Sequence, residues 1–445
     1  MGKATQFIVG LIGAMGAFCL GAVIGWSGPV EAEVKYLGAY DFSPDTTEWG
    51  LVGSLMTLGA AFSCIPVGLL IGKIGRKTTM LSLLPPFFIG WLLIILAVHI
   101  SMLLIGRFVA GFCGGGFCVA GPMYTTEIAE VQYRGIMGCF FQLLIVNGVL
   151  YAFIVGAFAN TLYFSIACAI WPIIYFLLFM WMPESPVYLA QKGKAEKAEK
   201  SLKFLRGKDV DVSGELRDLA AEGQKEKVSA GKLLCRRVTL KGLFLSIFLM
   251  VFQQMTGINA IIFYSTFIFQ TAGSTLEPRY STIVVGVVMV VSTVASILLI
   301  EKLGRKVLLL ISSAMMAIST LIMALFFGVL MSSGVGWLAL MAVCIFIIGF
   351  SVGFGPIPWV MMAELFAEDV KPLAGSIAGT TNWLCAFIVT LLFPVLNVHI
   401  GAAACFGIFC GFAVCAFLFV LFLIPETKGK TLNEIQAKLG EKKES

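Results

Sequence analysis

The sequence GKIGRK at Gly72–Lys77 returns as EKLGRK at Glu301–Lys306, and each copy directly follows a long apolar run. EIAEVQYR at Glu127–Arg134 corresponds in the same way to ELFAEDVK at Glu364–Lys371, and in both the acidic residue precedes the basic one by seven positions. PESP and ETKG, which follow the sixth and the last apolar run, form a third pair. Because three signals recur in one order, we interpret the chain as a tandem duplication, as in membrane proteins built from parallel repeats.

The composition indicates a membrane protein. Of 445 residues, 59% are hydrophobic and 13% are charged, and the mean hydropathy is +0.96, whereas a soluble domain carries about 25% charged residues. A helix needs about 20 residues to cross the hydrocarbon core. Twelve runs reach that length, and the fold class predicted is an all-α protein of twelve transmembrane helices in two six-helix repeats. The runs lie near residues 6–28, 48–71, 78–98, 102–123, 136–158, 162–182, 240–270, 280–300, 307–331, 336–362, 373–397 and 401–424.

The repeat divides the chain into four parts. We expect a six-helix half at 1–183, a cytoplasmic helical linker at 184–239, a second six-helix half at 240–424 and a cytoplasmic tail at 425–445. Within the linker, Ala195, Ala198, Leu202 and Leu205 recur near helical spacing among charged residues. This pattern predicts an amphipathic helix on the cytoplasmic face, and the alternative is a solvated linker.

The basic residues behind the net charge of +6 lie mostly on one side of the predicted membrane. With both termini inside, the outward loops hold only Lys35 and Arg279, with Arg107 near the outer start of the fourth span, and the other 28 of 31 basic residues lie on the opposite side. This is the positive-inside pattern, and it predicts cytoplasmic termini. It also disfavours a nucleic-acid partner, because the basic residues mark helix ends rather than one binding face. The first run is long enough to span, so we interpret it as a retained helix.

Signs of catalysis or of a cofactor are weak. Most of the twelve cysteines lie inside apolar runs, where they act as small packing residues, and no spacing typical of a metal site occurs. GFCGGG at Gly111–Gly116 lacks the Lys-Ser/Thr end of a phosphate-binding loop. We therefore expect no cofactor and no metal, and neither an enzyme nor an ATP-driven pump.

Three carboxamides sit in the apolar run that contains QQMTGIN at Gln253–Asn259, and Gln142 and Asn382 lie in other runs. An unpaired amide in an apolar medium costs several kcal/mol, so these side chains either bond neighbouring helices or line an internal cavity. Their recurrence on three spans favours a cavity. Carboxamides both donate and accept, which matches the hydroxyl groups of a neutral sugar.

The spacing of these amides also predicts the shape of their helix. At 100° per residue, Gln253, Gln254 and Asn259 point in different directions on a straight helix. We therefore expect the seventh span to break near Gly257. GFGPIP in the tenth span predicts a second break, since Pro356 and Pro358 each remove a backbone donor.

The ordered set of motifs resembles the sugar porter family of the major facilitator superfamily, the facilitative glucose transporters and their relatives. The region FGPIPWVMMAELFAEDVKPLAGSIAGTTNW is most similar to the insect facilitated trehalose/glucose transporter branch. The motifs that carry the resemblance are GKIGRK, PMYTTEIAEVQYRG, PESPVYL, QQMTGINAIIFYS, EKLGRK, GFGPIPWVMMAELF and PETKGKTL.

The resemblance implies roles for particular residues. It places sugar contacts at Gln142, Gln253, Gln254, Asn259 and Trp359, with Asn382 and Trp383 nearby, and an outer gate at Tyr264. It also implies a latch at the cytoplasmic helix ends that closes this side when the cavity faces outward. The latch residues are Arg76, Glu127, Arg134, Glu301, Arg305, Glu364 and Lys371. Exposed ion pairs contribute only about 0–1 kcal/mol each, so the alternative is that these charges fix topology alone.

Several positions depart from the glucose carriers. Met289, Ser351 and Ala386 stand where those carriers have polar side chains, and Gly72-Lys73 replaces the usual Asp-Arg. The pocket is therefore expected to be less polar and roomier, which leaves a disaccharide such as trehalose and a hexose both open.

The first span bears on how transport is driven. Proton-coupled relatives carry an aspartate where this chain has Ser27 in GWSG, and no acidic residue lies within 6–28. We therefore predict a uniporter that moves a neutral sugar by alternating access in the plasma membrane and functions as a monomer. The alternatives are a proton-coupled symporter and a sugar sensor without flux.

Overall fold

The computed structural model describes residues 2–207, 210–223, 237–273, 276–331, 334–366, 370–430 and 432–440, which form helices and no strands. Eleven helical segments are long and apolar enough to cross a membrane. The last, Leu373–Leu423, has 51 residues, and the backbone at Gly401 (φ 81°, ψ 161°) breaks it into two. Twelve spans result, and the predicted fold class is confirmed.

The twelve spans alternate in direction along the chain. Span 1 is formed by Gly2–Gly13 and Met15–Tyr36, span 2 by Thr46–Ile74, span 3 by Arg76–Ile95, span 4 by Ile100–Ile128, span 5 by Arg134–Phe158 and span 6 by Thr161–Phe179. Span 7 comprises Arg237–Met255, Ile258–Phe263 and Ser265–Thr271, span 8 is Pro278–Leu303, span 9 is Arg305–Leu325 with a π-helical turn at Phe326–Leu330, and span 10 comprises Trp337–Val352 and Ile357–Leu365. Spans 11 and 12 are the two parts of Lys371–Leu423.

Short helices cover one end of the bundle, which we call the linker face. They are Pro186–Gln191, Ala195–Arg206, Ser213–Gly223 and, after span 12, Leu432–Gly440. In Ala195–Arg206 the side chains of Ala198, Leu202 and Leu205 are fully buried and most charged residues face outward, as the amphipathic pattern predicts. Ala195 in the first turn is exposed, because it precedes the part of the helix that packs on the bundle. Residues 224–236 of the predicted linker lie outside the described residues.

Close helix packing depends on glycine, as expected where lipid supplies no hydrophobic drive between helices. A Cβ atom at Gly111 of span 4 would fall on the carbonyl of Met56 in span 2, and one at Gly21 of span 1 would fall on that of Ile145 in span 5. Spans 2 and 4, and spans 1 and 5, therefore touch through their backbones.

The first six spans meet the last six along two main seams, and span 1 also contacts span 7. Span 2 lies against span 11, where the hydroxyls of Thr57 and Thr390 are 3.5 Å apart and Ser376 donates to the Cys64 carbonyl at 3.5 Å. Span 5 lies against span 8, and a Cβ at Gly286 would lie 2.9 Å from Leu150 Cδ1. The space between these seams is the middle of the molecule, where the polar side chains gather.

Span 1 is longer than predicted. It runs to Tyr36 and so includes two acidic residues, which corrects the expectation of none. Both are paired within the protein, which allows the helix to continue. Glu33 accepts from Thr161 N at 2.7 Å and from Thr161 Oγ1 at 2.6 Å, and Glu31 lies 3.5 Å from Lys35 Nζ.

Connections on the face opposite the linker are short. The longest between described helices is residues 37–45, after span 1. Tyr40 Oη donates to the Ile94 carbonyl at the end of span 3 at 2.8 Å, and its ring stacks on Phe42 at 5.3 Å. The middle of this connection is thus fixed, whereas Leu37 is 74% exposed.

Both predicted helix breaks are confirmed. Span 7 is interrupted between Met255 and Ile258, with Gly257 at φ +96°, and span 10 is interrupted between Val352 and Ile357. Non-glycine residues avoid positive φ because Cβ meets the following carbonyl, so Gly257 gives the chain a conformation that its neighbours cannot adopt.

Replacing Gly257 by alanine is expected to destabilise the protein. The left-handed backbone costs about 1–2 kcal/mol for alanine, and the new Cβ would lie 2.5 Å from Phe409 Cδ2. Thermal unfolding of the purified protein in detergent should show a lower midpoint. The control is Gly407→Ala in span 12, where nothing lies within 4 Å of the added atom, and equal midpoints for both variants would contradict the role given to Gly257.

Candidate functional site

Four carboxamides form one hydrogen-bonded cluster between spans 7 and 11. Asn259 Nδ2 donates to Gln254 Oε1 at 2.6 Å, Gln254 Nε2 donates to Asn382 Oδ1 at 3.0 Å, and Asn382 Nδ2 donates to Gln253 Oε1. The four side chains are between 2% and 7% exposed. The break at Gly257 is what makes this possible, because it turns Asn259 back toward Gln254.

The cluster is tied to the broken part of span 10. Gln253 Nε2 donates to the carbonyls of Phe354 at 2.6 Å and Gly355 at 2.8 Å. In a regular helix the Phe354 carbonyl would bond the N–H four residues on, but Pro358 has none. Gln253 therefore supplies the donor that the proline removes, and spans 7, 10 and 11 are joined at one point.

Other predicted contacts lie near the cluster without joining it. Trp383 is 6% exposed, and its Nε1 has no hydrogen-bond partner. Trp359 is half-buried, and its ring lies 3.9 Å from a Cβ position on Gly379 of span 11. Gln142 of span 5 is half-buried, and no hydrogen bond to its side chain is formed by the described residues. These three side chains therefore form no hydrogen bond with the four bonded amides.

The three positions that depart from the glucose carriers are buried. Met289 and Ser351 are each 3% exposed, and Ala386 is fully buried. Of the three, only Ser351 has a polar side chain.

Tyr264 lies where span 7 meets span 11. Its hydroxyl donates to the Thr390 carbonyl of span 11 at 2.7 Å, and its ring stacks on Phe393 at 5.5 Å. A Cβ at Gly53 of span 2 would lie 3.0 Å from the same hydroxyl. Spans 2, 7 and 11 therefore converge on this one fully buried phenol.

Arg107 is a buried cation that the site prediction did not include. Its guanidinium donates to the carbonyls of Val52 at 3.0 Å and Val23 at 2.8 Å and to Ser27 Oγ at 2.8 Å, and it lies over the Trp26 ring at 5.3 Å. All three donating nitrogens are thus satisfied by uncharged oxygens. The only signal in the sequence was a basic residue placed inside an apolar run.

The linker face carries an ion-pair network at the start of span 3. Arg76 Nη2 donates to Glu127 Oε1 at 2.6 Å, and Ser185 Oγ donates to the other oxygen of the same carboxylate. Glu184 Oε1 accepts from the backbone N–H groups of Arg76 and Lys77, each at 3.0 Å. The Glu184 carboxylate thus caps the N-terminus of span 3, where backbone donors lack helical partners.

The same network recurs at the start of span 9. Arg305 Nη2 donates to Glu364 Oε1 at 2.8 Å, Thr427 Oγ1 donates to Glu364 Oε2 at 2.5 Å, and Glu426 accepts from the N–H groups of Arg305 and Lys306, each at 3.0 Å. The repeat found in the sequence is therefore a repeat of hydrogen bonds.

The predicted latch residues have different outcomes. Arg76 pairs with Glu127 and Arg305 pairs with Glu364, each within one set of six spans. Arg134 is exposed, and within the described residues it has no ion-pair partner. Lys371 is half-buried at the start of span 11, and the Glu301 side chain lies outside the described residues. Four further residues complete the networks, namely Glu184, Ser185, Glu426 and Thr427, and their recurrence in PESP and PETK was the signal for them.

Glu426 is the titratable group of this network outside the spans. Burial by itself raises its pKa, but the N–H groups of Lys428, Arg305, Lys306 and Thr427 together hold the pKa of the Glu426 carboxyl below its ordinary value. A carboxylate with a lowered pKa stabilises the folded state at neutral pH. That stabilisation is lost as the pH falls through the folded-state pKa, which lies below 4.5.

Glu426→Gln is therefore expected to lower stability by about 1 kcal/mol at neutral pH, because a charged helix cap is lost. The difference from the unsubstituted protein should shrink only when the pH falls below the usual carboxylate range. Thermal unfolding in detergent across a pH series measures both effects. Glu277→Gln serves as control, because Glu277 precedes span 8 without a side-chain cap bond, and a similar loss in both variants would argue against the cap.

The twelve spans, the breaks beside a buried polar cluster and the repeated networks are typical of helical membrane transporters built from two repeats. Comparison with known proteins agrees. A family model described as Sugar (and other) transporter matches residues 9–439. The chain belongs to this family.

Individual relatives cover nearly the whole chain. The Facilitated trehalose transporter Tret1-2 homolog of Drosophila simulans is 37% identical, over 98% of this chain and 91% of that protein. The Facilitated trehalose transporter Tret1 of Apis mellifera ligustica is also 37% identical, over 98% of this chain and 88% of that protein. The resemblance to the insect branch is thereby confirmed.

Solved structures share the fold. The proton:xylose symporter XylE bound to 6-bromo-6-deoxy-D-glucose has a TM-score of 0.82 and 25% identity, covering 99% of this chain and 100% of that one. The inward open conformation of the xylose transporter XylE from E. coli has a TM-score of 0.81 at 23% identity, covering 97% and 99%, which is a likeness of fold.

Proposed function

We propose that the protein is a facilitative carrier that moves a neutral sugar across the membrane by alternating access. The observation that carries this proposal is the buried amide cluster between spans 7 and 11. Relatives with 37% identity are named facilitated trehalose transporters, so trehalose is the first substrate to test and D-glucose the second.

The chemistry of the cluster suits a neutral polyol. Its four amides offer donors and acceptors without net charge, and a hydroxyl group both donates and accepts. Each net hydrogen bond contributes about 0.5–1.5 kcal/mol, and binding costs reduce the sum further. The resulting weak affinity suits a carrier, because its ligand must leave on the other side.

The proposed sugar site comprises the amides and the residues beside them. Gln253, Gln254, Asn259 and Asn382 bond the hydroxyls, Trp359 and Trp383 provide apolar faces, and Gln142 contributes from span 5. Trp383 Nε1 has no hydrogen-bond partner among the described residues. Tyr264 acts as the outer gate, because its bond to Thr390 closes spans 7 and 11 over the site.

Alternating access requires two units that rock about this site. We assign them to residues 1–183 and 240–424, joined by the linker at 184–239 and followed by the tail at 425–445. The networks of the linker face hold each unit together at its end. In this proposal they form the cytoplasmic latch, with Arg134, Glu301 and Lys371 contributing alongside the described pairs.

The proposed setting is the plasma membrane, with both termini and the linker in the cytoplasm. The charge distribution supports this orientation, because basic residues concentrate on the linker side. The carrier is proposed to work as a monomer, since the amide cluster and the seams around it come from one chain.

Facilitated diffusion rather than proton coupling is supported by the surroundings of Arg107. Its guanidinium bonds Ser27 and two carbonyls, and a serine hydroxyl does not titrate in the physiological range. A proton carrier at this position would need a carboxylate. Flux that is insensitive to dissipation of the proton gradient is therefore expected.

Gln254→Ala is expected to reduce sugar counterflow by about tenfold, because the variant loses the amide that joins Asn259 to Asn382. Counterflow of labelled trehalose and of labelled D-glucose in proteoliposomes gives the measurement and ranks the two sugars. Gln270→Ala is the control, since Gln270 lies on the same span with its side chain exposed. If the sugar flux of Gln254→Ala were unchanged, the amide cluster could not be part of the sugar site.

Ser27→Asp is expected to introduce pH dependence. The new carboxylate would face the Arg107 guanidinium at the place where Ser27 Oγ now accepts at 2.8 Å, so a titratable ion pair would form inside the bundle. Sugar uptake by the variant should vary with the proton gradient, whereas uptake by the unsubstituted protein should not. Ser27→Asn, which is similar in shape and does not titrate, is the control, and proton-dependent uptake without any substitution would establish symport instead.

A further inference from the structure

A cleft of about 510 Å³ opens on the linker face where spans 2, 3 and 6 meet the helix Ala195–Arg206. The sugar site described above does not use it. The lining residues that characterise it are the lysines Lys77, Lys194, Lys197 and Lys200 and the aromatic residues Trp181 and Phe204.

The cleft carries an excess of positive charge. Lys194, Lys197 and Lys200 are exposed, and none forms an ion pair with the described carboxylates. Lys77 Nζ donates to the Met180 carbonyl at 2.8 Å and keeps its charge beside the cleft. The acidic side chain in the lining is Glu184, and its oxygens are already bonded to N–H groups at the start of span 3.

The linker helix presents different side chains on different faces. Ala198, Leu202 and Leu205 pack on the bundle, whereas Lys197, Lys200 and Phe204 line the cleft. Lys203 belongs to neither set, because it pairs with Glu199 at 2.6 Å. The basic face of this helix therefore has no partner within the described part of the chain.

The rim of the cleft is apolar where it meets the bilayer. Trp181, directly after span 6, is 77% exposed, and Phe204 is 48% exposed. Exposed tryptophan at a helix end is typical of the level of the lipid headgroups. Lysines above an aromatic rim at this depth complement a ligand with an anionic head and an apolar tail.

We propose that this cleft binds the headgroup of an anionic phospholipid from the leaflet on the linker side. The phosphate lies among Lys194, Lys197 and Lys200, and the acyl chains pass over Trp181 and Phe204. A free anion would satisfy the lysines but leave the aromatic rim in water, which favours the lipid. The bound lipid ties the linker helix to the start of span 3, whose cap Glu184 forms part of the same cleft.

The lysines described after span 12 are oriented differently from those of the cleft. At the corresponding end of span 12, Lys428 Nζ donates to the Lys302 carbonyl and Lys430 Nζ to the Glu426 carbonyl, each at 2.7 Å. These lysines are turned onto the protein itself. The inference therefore concerns the cleft built by the linker helix.

Brominated lipids test the proposal, because bromine quenches tryptophan fluorescence only at short range. The full chain is reconstituted in phosphatidylcholine vesicles that contain a minor fraction of dibrominated phosphatidylglycerol or dibrominated phosphatidylcholine. Subtracting the signal of Trp181→Phe isolates Trp181 from the other tryptophans. Stronger quenching of Trp181 by the anionic lipid is expected, and equal quenching by both lipids would overturn the proposal.

A matched pair of variants assigns the effect to the cleft. Lys197→Gln with Lys200→Gln should lower the preference for the anionic lipid roughly 25-fold. Lys203→Gln with Arg217→Gln removes the same charge from linker positions outside the cleft, where Lys203 is half-buried and Arg217 is exposed, and should retain the preference. Equal losses in both pairs would mean general surface attraction and contradict a site.

Inorganic phosphate distinguishes the two sources of the anion. At constant ionic strength it should leave the quenching by the anionic lipid unchanged, because it cannot occupy the apolar rim. Displacement of the brominated lipid by phosphate alone would make a free anion the occupant and would reject the lipid.

Discussion

Backbone and charged groups that enter the bilayer need partners inside the protein, and this constraint organises the structure. Gln253 supplies the donor that Pro358 removes from span 10. The Arg107 guanidinium donates hydrogen bonds to two backbone carbonyls and to Ser27 Oγ. An unpaired polar group costs several kcal/mol in this medium, so the helix breaks and the amide cluster can exist only together.

Those pairings also explain what the sequence could and could not predict. The spans follow from the lengths of the apolar runs, and the breaks follow from Gly257, Pro356 and Pro358, whose backbone limits hold in any surroundings. The end of span 1 was misplaced because Glu31 and Glu33 read as loop residues, although their partners Lys35 and Thr161 keep them in the helix. A linear pattern does not reveal such partners.

Contacts between elements far apart in the sequence were the second feature that the sequence did not predict. The sequence indicated that PESP and PETK recur but not that Glu184 and Glu426 cap the spans that follow the GRK motifs. The family resemblance placed Arg134 in the latch, and its side chain is exposed in the structure. It grouped Gln142 with the other amides, whereas the cluster that formed comes from spans 7 and 11 alone. The repeated motifs therefore predicted the ion-pair networks better than the interior. The two sets of six spans carry matching residues at their ends on the linker face, whereas their interior residues differ.

The short connections on the face opposite the linker limit what can recognise the protein from that side. An antibody, a protease or an inserted epitope would find little chain outside the helices except residues 37–45. Within that segment Tyr40 is hydrogen-bonded to span 3. The most accessible part of the connection is therefore the exposed stretch around Leu37 and Gly38. In the proposed plasma-membrane orientation, reagents for labelling the intact carrier should be directed there, where an insertion disturbs few buried backbone groups.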